Sequence, residues 1–102
     1  MNDVSFGLKK DDLEAIFRVL ASVADIEKAV IFGSRAKGNY KQGSDVDIAL
    51  FTPNKNVALH IAFLLNEETL MPYHFDVLDY YTIINQKLKD HIDRVGIVFY
   101  KK

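Results

Sequence analysis

The sequence predicts an α/β (α+β) fold, a mixed sheet of about four strands with helices packed on it. Three observations predict it. Segments of helical periodicity alternate along the chain with short apolar runs of strand character. The 102 residues suit one domain over residues 1–102 and should bury roughly 65% of their unfolded surface. A composition of 49% apolar and 26% charged residues is that of an ordinary globular domain, which excludes a disordered, collagen-like or coiled-coil chain.

The elements follow in order. Leu13, Ile16, Phe17, Leu20, Val23 and Ala24 share one helical face, so residues 11–22 read as a first helix, with Asp11 and Glu14 spaced as a capping box. Residues 29–32 are wholly apolar, stop at Gly33 and read as a buried strand. Residues 34–38 are small and basic, suiting the first turn of a short helix, and residues 38–43 form a polar loop. Residues 45–51 alternate acidic with apolar and then become wholly apolar before Thr52-Pro53, which marks a second strand. Residues 56–70 are rich in Ala and Leu and read as a largely buried helix, with Pro72 beyond its end. Residues 73–80 are aromatic and branched, a third strand. Ile84, Leu88, His91, Ile92 and Val95 define the buried face of a last helix closed by Gly96, and residues 97–100 form a final strand.

Several classes of function are excluded. Thirteen basic and fourteen acidic residues leave a net charge of −1, unlike the strongly basic footprint of a protein that wraps duplex DNA, so direct duplex binding is not expected. The absence of cysteine removes disulfide scaffolds, thiol nucleophiles and thiolate zinc sites, and favours the cytoplasm. Residues 1–5 lack the basic start of a signal peptide, and the longest apolar run, residues 61–65, is too short to span a bilayer.

Three features break the apolar patterning. Asp45 and Asp47 open the second strand at i and i+2, on one face and about 6.5–7 Å apart along the backbone. Carboxylates so placed repel, and a divalent cation relieves the conflict; the alternative is two solvated side chains at a frayed strand start. Asp76, between Phe75 and Val77, reads as a buried acid that needs a metal, a hydrogen bond or an ion pair with Arg35 or Lys37. Asp79 falls on the opposite face and reads as a strand-end or capping residue. Gly33-Ser34 permits a sharp turn whose amides, with the Ser34 hydroxyl, Arg35 and Lys37, suit an anion such as phosphate. It is neither a Walker loop nor a dinucleotide fingerprint.

The remaining marked residues have plain readings. Phe17, Phe32, Phe51, Phe63, Phe75 and Phe99 are assigned to the core, and Tyr73, Tyr80 and Tyr81 to core edges or a partner surface. His60, His74 and His91 have no metal-like spacing, although His74 shares a face with Asp76.

Gly33-Ser34, ten residues, then Asp45-Val46-Asp47 resembles the Gly-Ser-x10-Asp-x-Asp signature of polymerase-β-like nucleotidyltransferases. The string Gly33-Ser34-Arg35-Ala36-Lys37-Gly38 through Ser44-Asp45-Val46-Asp47 is similar to the minimal nucleotidyltransferases (MNT), with Lys37 where arginine is frequent. The resemblance runs from the first helix to residue 100 and implies a nucleotidyltransferase fold. It implies that Asp45 and Asp47 hold two magnesium ions with ATP. Asp76 is then the third carboxylate, shared between a metal and activation of the acceptor hydroxyl. Gly33 and Ser34 would hold the β- and γ-phosphates, with Arg35 and Lys37 contributing. The implied reaction moves AMP from ATP onto a hydroxyl and releases pyrophosphate. Members of that family pair with HEPN toxins as antitoxins and adenylylate a toxin tyrosine, which implies a HEPN-type partner here. Two alternatives stand beside it: a non-catalytic binding antitoxin, and transfer to a small molecule such as an aminoglycoside.

Overall fold

The computed structural model describes residues 6–102. The reading of residues 1–5 as free of a targeting leader lies outside the described residues. The element order is α1 (Lys10–Ala21), β1 (Lys28–Phe32), α2 (Ser34–Lys37), β2 (Val46–Phe51), α3 (Val57–Glu67), β3 (Phe75–Asp79), a 3-10 turn (Tyr80–Thr82), α4 (Gln86–Val95) and β4 (Ile97–Lys101). The α/β alternation read from periodicity is therefore the observed one. Among these residues no helix is long and apolar enough to cross a membrane.

The strands form one mixed sheet in the order β3-β2-β1-β4. β1 pairs antiparallel with β2 and with β4, and β2 pairs parallel with β3. A parallel pair needs a crossover, and α3 supplies it. Alternation along the strands sorts side chains to two faces. Ala29, Ile31, Val46, Ile48, Leu50 and Phe75 join Ile16 and Leu20 of α1 and Ile61 and Leu65 of α3 in the larger core. Val30, Phe32 and Ala49 pack with Ile92 of α4 in a smaller one on the opposite face. α4 covers only part of that second face. The uncovered part begins where Asp47 and Asp76 replace the apolar residues of the same stripe.

Phe75 is among the largest fully buried side chains, and its ring meets Tyr73 edge to face at 6.2 Å. Phe75→Ala is expected to cost about 3–5 kcal/mol, a large part of the 5–15 kcal/mol by which such domains are stable. Urea denaturation should show the midpoint falling accordingly. A loss below about 1 kcal/mol would mean that Phe75 is not a core anchor.

Several local readings are corrected. α1 starts at Lys10 with Lys9 as an N-cap that makes no side-chain bond, so Asp11 lies in the first turn and forms no capping box. α3 is shorter than residues 56–70, and its outer face is bare: Leu59 and the expected core residue Phe63 are 76% and 53% exposed. Ile84 precedes α4 and is fully exposed rather than on its buried face. β3 begins at Phe75, so Tyr73 and His74 lie before it. Asp79 is the capping residue expected, its carboxylate accepting from the Tyr81 amide at 3.0 Å.

Candidate active site

β1 runs out of the core at Phe32 and turns at Gly33, whose φ of 74° and ψ of −153° are open to glycine alone. A second reason requires glycine: a Cβ at Gly33 would collide with the carboxylate of Asp47. The turn backbone therefore lies directly against that acid. α2 starts at the next residue, Ser34, and ends at Gly38 in the left-handed conformation. The Ser34 carbonyl accepts from the Gly38 and Asn39 amides, at 2.9 and 3.2 Å.

Asp47 sits in the middle of the sheet, opposite Phe32 of β1 and in register with Asp76 of β3. Adjacent strands are about 4.8 Å apart, so two carboxylates share one face at close range. Burial pushes the Asp47 carboxyl above the usual aspartate range, and the charges of Asp76 and then Asp45 push it further, against smaller opposing effects of His91 and His74. Asp76 and Asp45 thus both act electrostatically on Asp47. Asp45 precedes β2 and is exposed, so it shares the site from the loop rather than from a strand face.

Asp76 is exposed, which corrects the expectation of a buried acid. β3 is an edge strand, and the apolar neighbours Phe75 and Val77 point to the opposite, covered face. No burial cost has to be offset.

Arg35 is the clearest difference. Expected beside the phosphates, it is turned inward and 3% exposed. Its Nε and Nη2 donate to the Ser44 carbonyl at 3.2 and 2.8 Å, and Nη1 donates to the Phe6 carbonyl at 2.8 Å. Its guanidinium lies 5.2 Å from the Tyr40 ring and 5.1 Å from the Tyr73 ring. Lys37, by contrast, is exposed at the end of α2. A cavity of about 510 Å³ opens beside Arg35, lined also by Lys9, Tyr40, Lys41 and Tyr73, and none of the three carboxylates lines it.

His91 is a site neighbour that sequence reasoning passed over. It is half-buried, packs edge-on against Phe32 at 6.1 Å and lies close enough to Asp47 to act on its charge. The signal was present, a histidine within the apolar stripe of α4, but only the fold shows which strand that stripe covers.

The Gly33 turn packs against Asp47, and Asp76 stands in register on the next strand, in a mixed sheet whose fold is that of a nucleotidyltransferase domain. The chain belongs to the family described as "Polymerase beta, Nucleotidyltransferase", whose model matches residues 14–102. Among solved structures it is similar to a chain of a toxin–antitoxin complex with AMP-PNP, with a TM-score of 0.70 at 18% identity, covering 93% of this chain and 75% of that one. A chain of the MntA-HepT toxin–antitoxin complex gives 0.68 at 15% identity, covering 92% and 74%. A complex of tri-AMPylated Shewanella oneidensis HEPN toxin with MNT antitoxin gives 0.68 at 16%, covering 93% and 74%. At such identities the likeness is one of fold. No curated protein matches the chain.

Proposed function

We propose that this chain is a magnesium-dependent nucleotidyltransferase that moves AMP from ATP onto a tyrosine hydroxyl of a HEPN-type partner protein, acting as its antitoxin in the cytoplasm. The observation that carries the reading is the packing of the Gly33 turn against Asp47, with Asp76 in register beside it.

The donor set suits magnesium. Asp47 is forced against two like charges, a conflict that a hard cation removes. Among the described residues no three His, Asp or Glu side chains form a ready-made cage. Magnesium needs none, since it takes one or two carboxylates and completes its shell with water and phosphate oxygens. Asp45 and Asp47 would hold it, with Asp76 as a third donor, and when bound it neutralises the triphosphate and favours in-line attack. The Ser34, Arg35 and Ala36 amides precede the first bond within α2, Lys37 N–H to the Gly33 carbonyl at 3.1 Å, so with the Ser34 hydroxyl they would bind the β- and γ-phosphates. Lys37 adds positive charge from the exposed end of α2. Asp76 would accept the proton of the attacking hydroxyl. That oxygen bonds to the α-phosphorus, the bond to the bridging oxygen breaks, and pyrophosphate leaves. The exposed edge position of Asp76 supports an acceptor delivered by another folded protein. The toxin–antitoxin complexes of similar fold support the kind of partner.

The chain co-purified with its native partner, given magnesium and ATP labelled at the α-phosphate, should label a tyrosine of that partner. Asp76→Asn should abolish the label. Equal labelling by Asp76→Asn would remove its role as base. Neutralisation of a toxin by Asp76→Asn without any labelling would favour the binding antitoxin, and label on an aminoglycoside alone would favour the small-molecule reading.

A further inference from the structure

We propose that Arg35 and Asn66 are positioning residues that set the spacing of the carboxylates by holding the backbone immediately before them. The inference rests on the proposed nucleotidyltransferase reading and assigns to that site two residues that touch none of the reacting groups.

The two arrangements follow the same logic. Ser44 precedes Asp45, and its carbonyl takes two donors from the buried guanidinium of Arg35. The loop of residues 38–44 is held at its start by the Gly38 and Asn39 amides on the Ser34 carbonyl. The contacts within its last turn are Ser44 N–H to the Lys41 carbonyl at 3.0 Å and Lys41 N–H to the Ser44 hydroxyl at 2.8 Å. Arg35 is itself fixed between two tyrosine rings and by the Phe6 carbonyl, so it anchors the loop to the body of the domain. Two N–H groups aimed at one carbonyl fix direction as well as distance, which a lysine cannot reproduce.

Phe75 precedes Asp76 on the edge strand β3. The inner side of β3 is paired with β2, and the His74 carbonyl accepts from the Val46 amide at 2.9 Å. The outer side of Phe75 has no neighbouring strand. Asn66 of α3 takes its place: its amide nitrogen donates to the Phe75 carbonyl at 2.9 Å, and its oxygen accepts from the Phe75 amide at 2.8 Å. The side chain mimics one residue of a further strand. Without it the edge could fray at the point from which Asp76 projects. Asp47 needs no such device, because β2 is paired on both sides. Thus the two acids at the ends of regular structure each have a dedicated side chain behind them.

The test is binding of AMP-PNP with and without magnesium, measured by calorimetry on the full chain well below its melting temperature. Arg35→Lys and Asn66→Ala are expected to lose at least tenfold in the magnesium-dependent gain of affinity, read as the ratio of the dissociation constants without and with magnesium. A core variant away from the site, Ile61→Val, lowers the melting temperature but should keep the full gain. If Asn66→Ala does not fold, Asn66→Asp serves, since it keeps the acceptor for the Phe75 amide and loses the donor to its carbonyl. Wild-type binding whose magnesium gain persists in the variants would overturn the assignment alone, as would an equal loss in Ile61→Val. A wild-type chain with no magnesium-dependent binding would overturn the proposed function and this assignment with it.

Discussion

Asp47→Asn is expected to abolish nucleotide transfer while making the domain more stable at neutral pH. The activity loss should be about 10³-fold, corresponding to about 4 kcal/mol of lost charge stabilisation at the reacting phosphate. The stability gain has a separate origin. Burial and the charges of Asp76 and Asp45 raise the Asp47 carboxyl above its ordinary value, so its ionised form is the unfavourable one in the folded state. For a group whose folded value is raised, the stability it contributes is complete below the ordinary aspartate value of about 3.9. It is lost as pH rises through the folded value. Once its carboxyl ionises the wild type carries the repulsion, and the neutral variant carries none at any pH. The carboxylate is partly solvated, which screens the effect to about 0.5 kcal/mol, or a rise in melting temperature of about 2–4 °C. Melting curves from pH 3 to pH 8 should show the two proteins converging at the acid end and separating above it. Magnesium should raise the melting temperature of the wild type and not of the variant, because only the wild type offers the carboxylate proposed as the central ligand. A variant less stable than wild type at pH 7.5, or one that transfers normally, would contradict the position given to Asp47.

That position was partly legible in the sequence, and the boundary of legibility has physical causes. Periodicity reports which face of an element is apolar, so helices and strands emerged in the right order with ends displaced by a few residues. The Gly33-Ser34 turn and the Asp45-Val46-Asp47 group stood out because they are local. Periodicity does not report whether a strand lies at an edge. Asp76 therefore looked buried among Phe75 and Val77, although its own face is open. The same blindness placed Phe63 and Ile84 in the core, since an apolar residue on an uncovered face looks like any other. Arg35 was misread for a different reason. A basic residue beside a phosphate-type turn suggests a phosphate contact, but its partners are carbonyls nine and twenty-nine residues away. Asn66 was invisible on the same grounds, as its role exists only once α3 packs on β3.

Gly33→Ala is expected to lower transfer about 10²-fold, although alanine adds one methyl group and no charge. Two costs fall together at this position. The backbone is held at φ 74° and ψ −153°, a region that costs a residue with a side chain about 1–3 kcal/mol. The methyl would also enter the space of the Asp47 carboxylate, so either the turn or the acid must move. Either movement separates the turn backbone proposed to hold phosphate from the Asp47 carboxylate, and misplacement of about 1 Å is enough to cost about 10²-fold in rate. Gly38→Ala is the matched control. Gly38 also has a positive φ, 86°, but a Cβ there meets nothing within 4 Å. That variant should lose about 1–2 kcal/mol of stability from the left-handed backbone alone and keep transfer within about twofold. Parallel measurement of melting temperature and transfer rate separates backbone strain from contact with the acid. If Gly33→Ala behaved like Gly38→Ala, close approach of the turn to Asp47 would not be what makes the site work. If both variants were inactive, the α2 turn as a whole, rather than its contact with the carboxylate, would govern transfer.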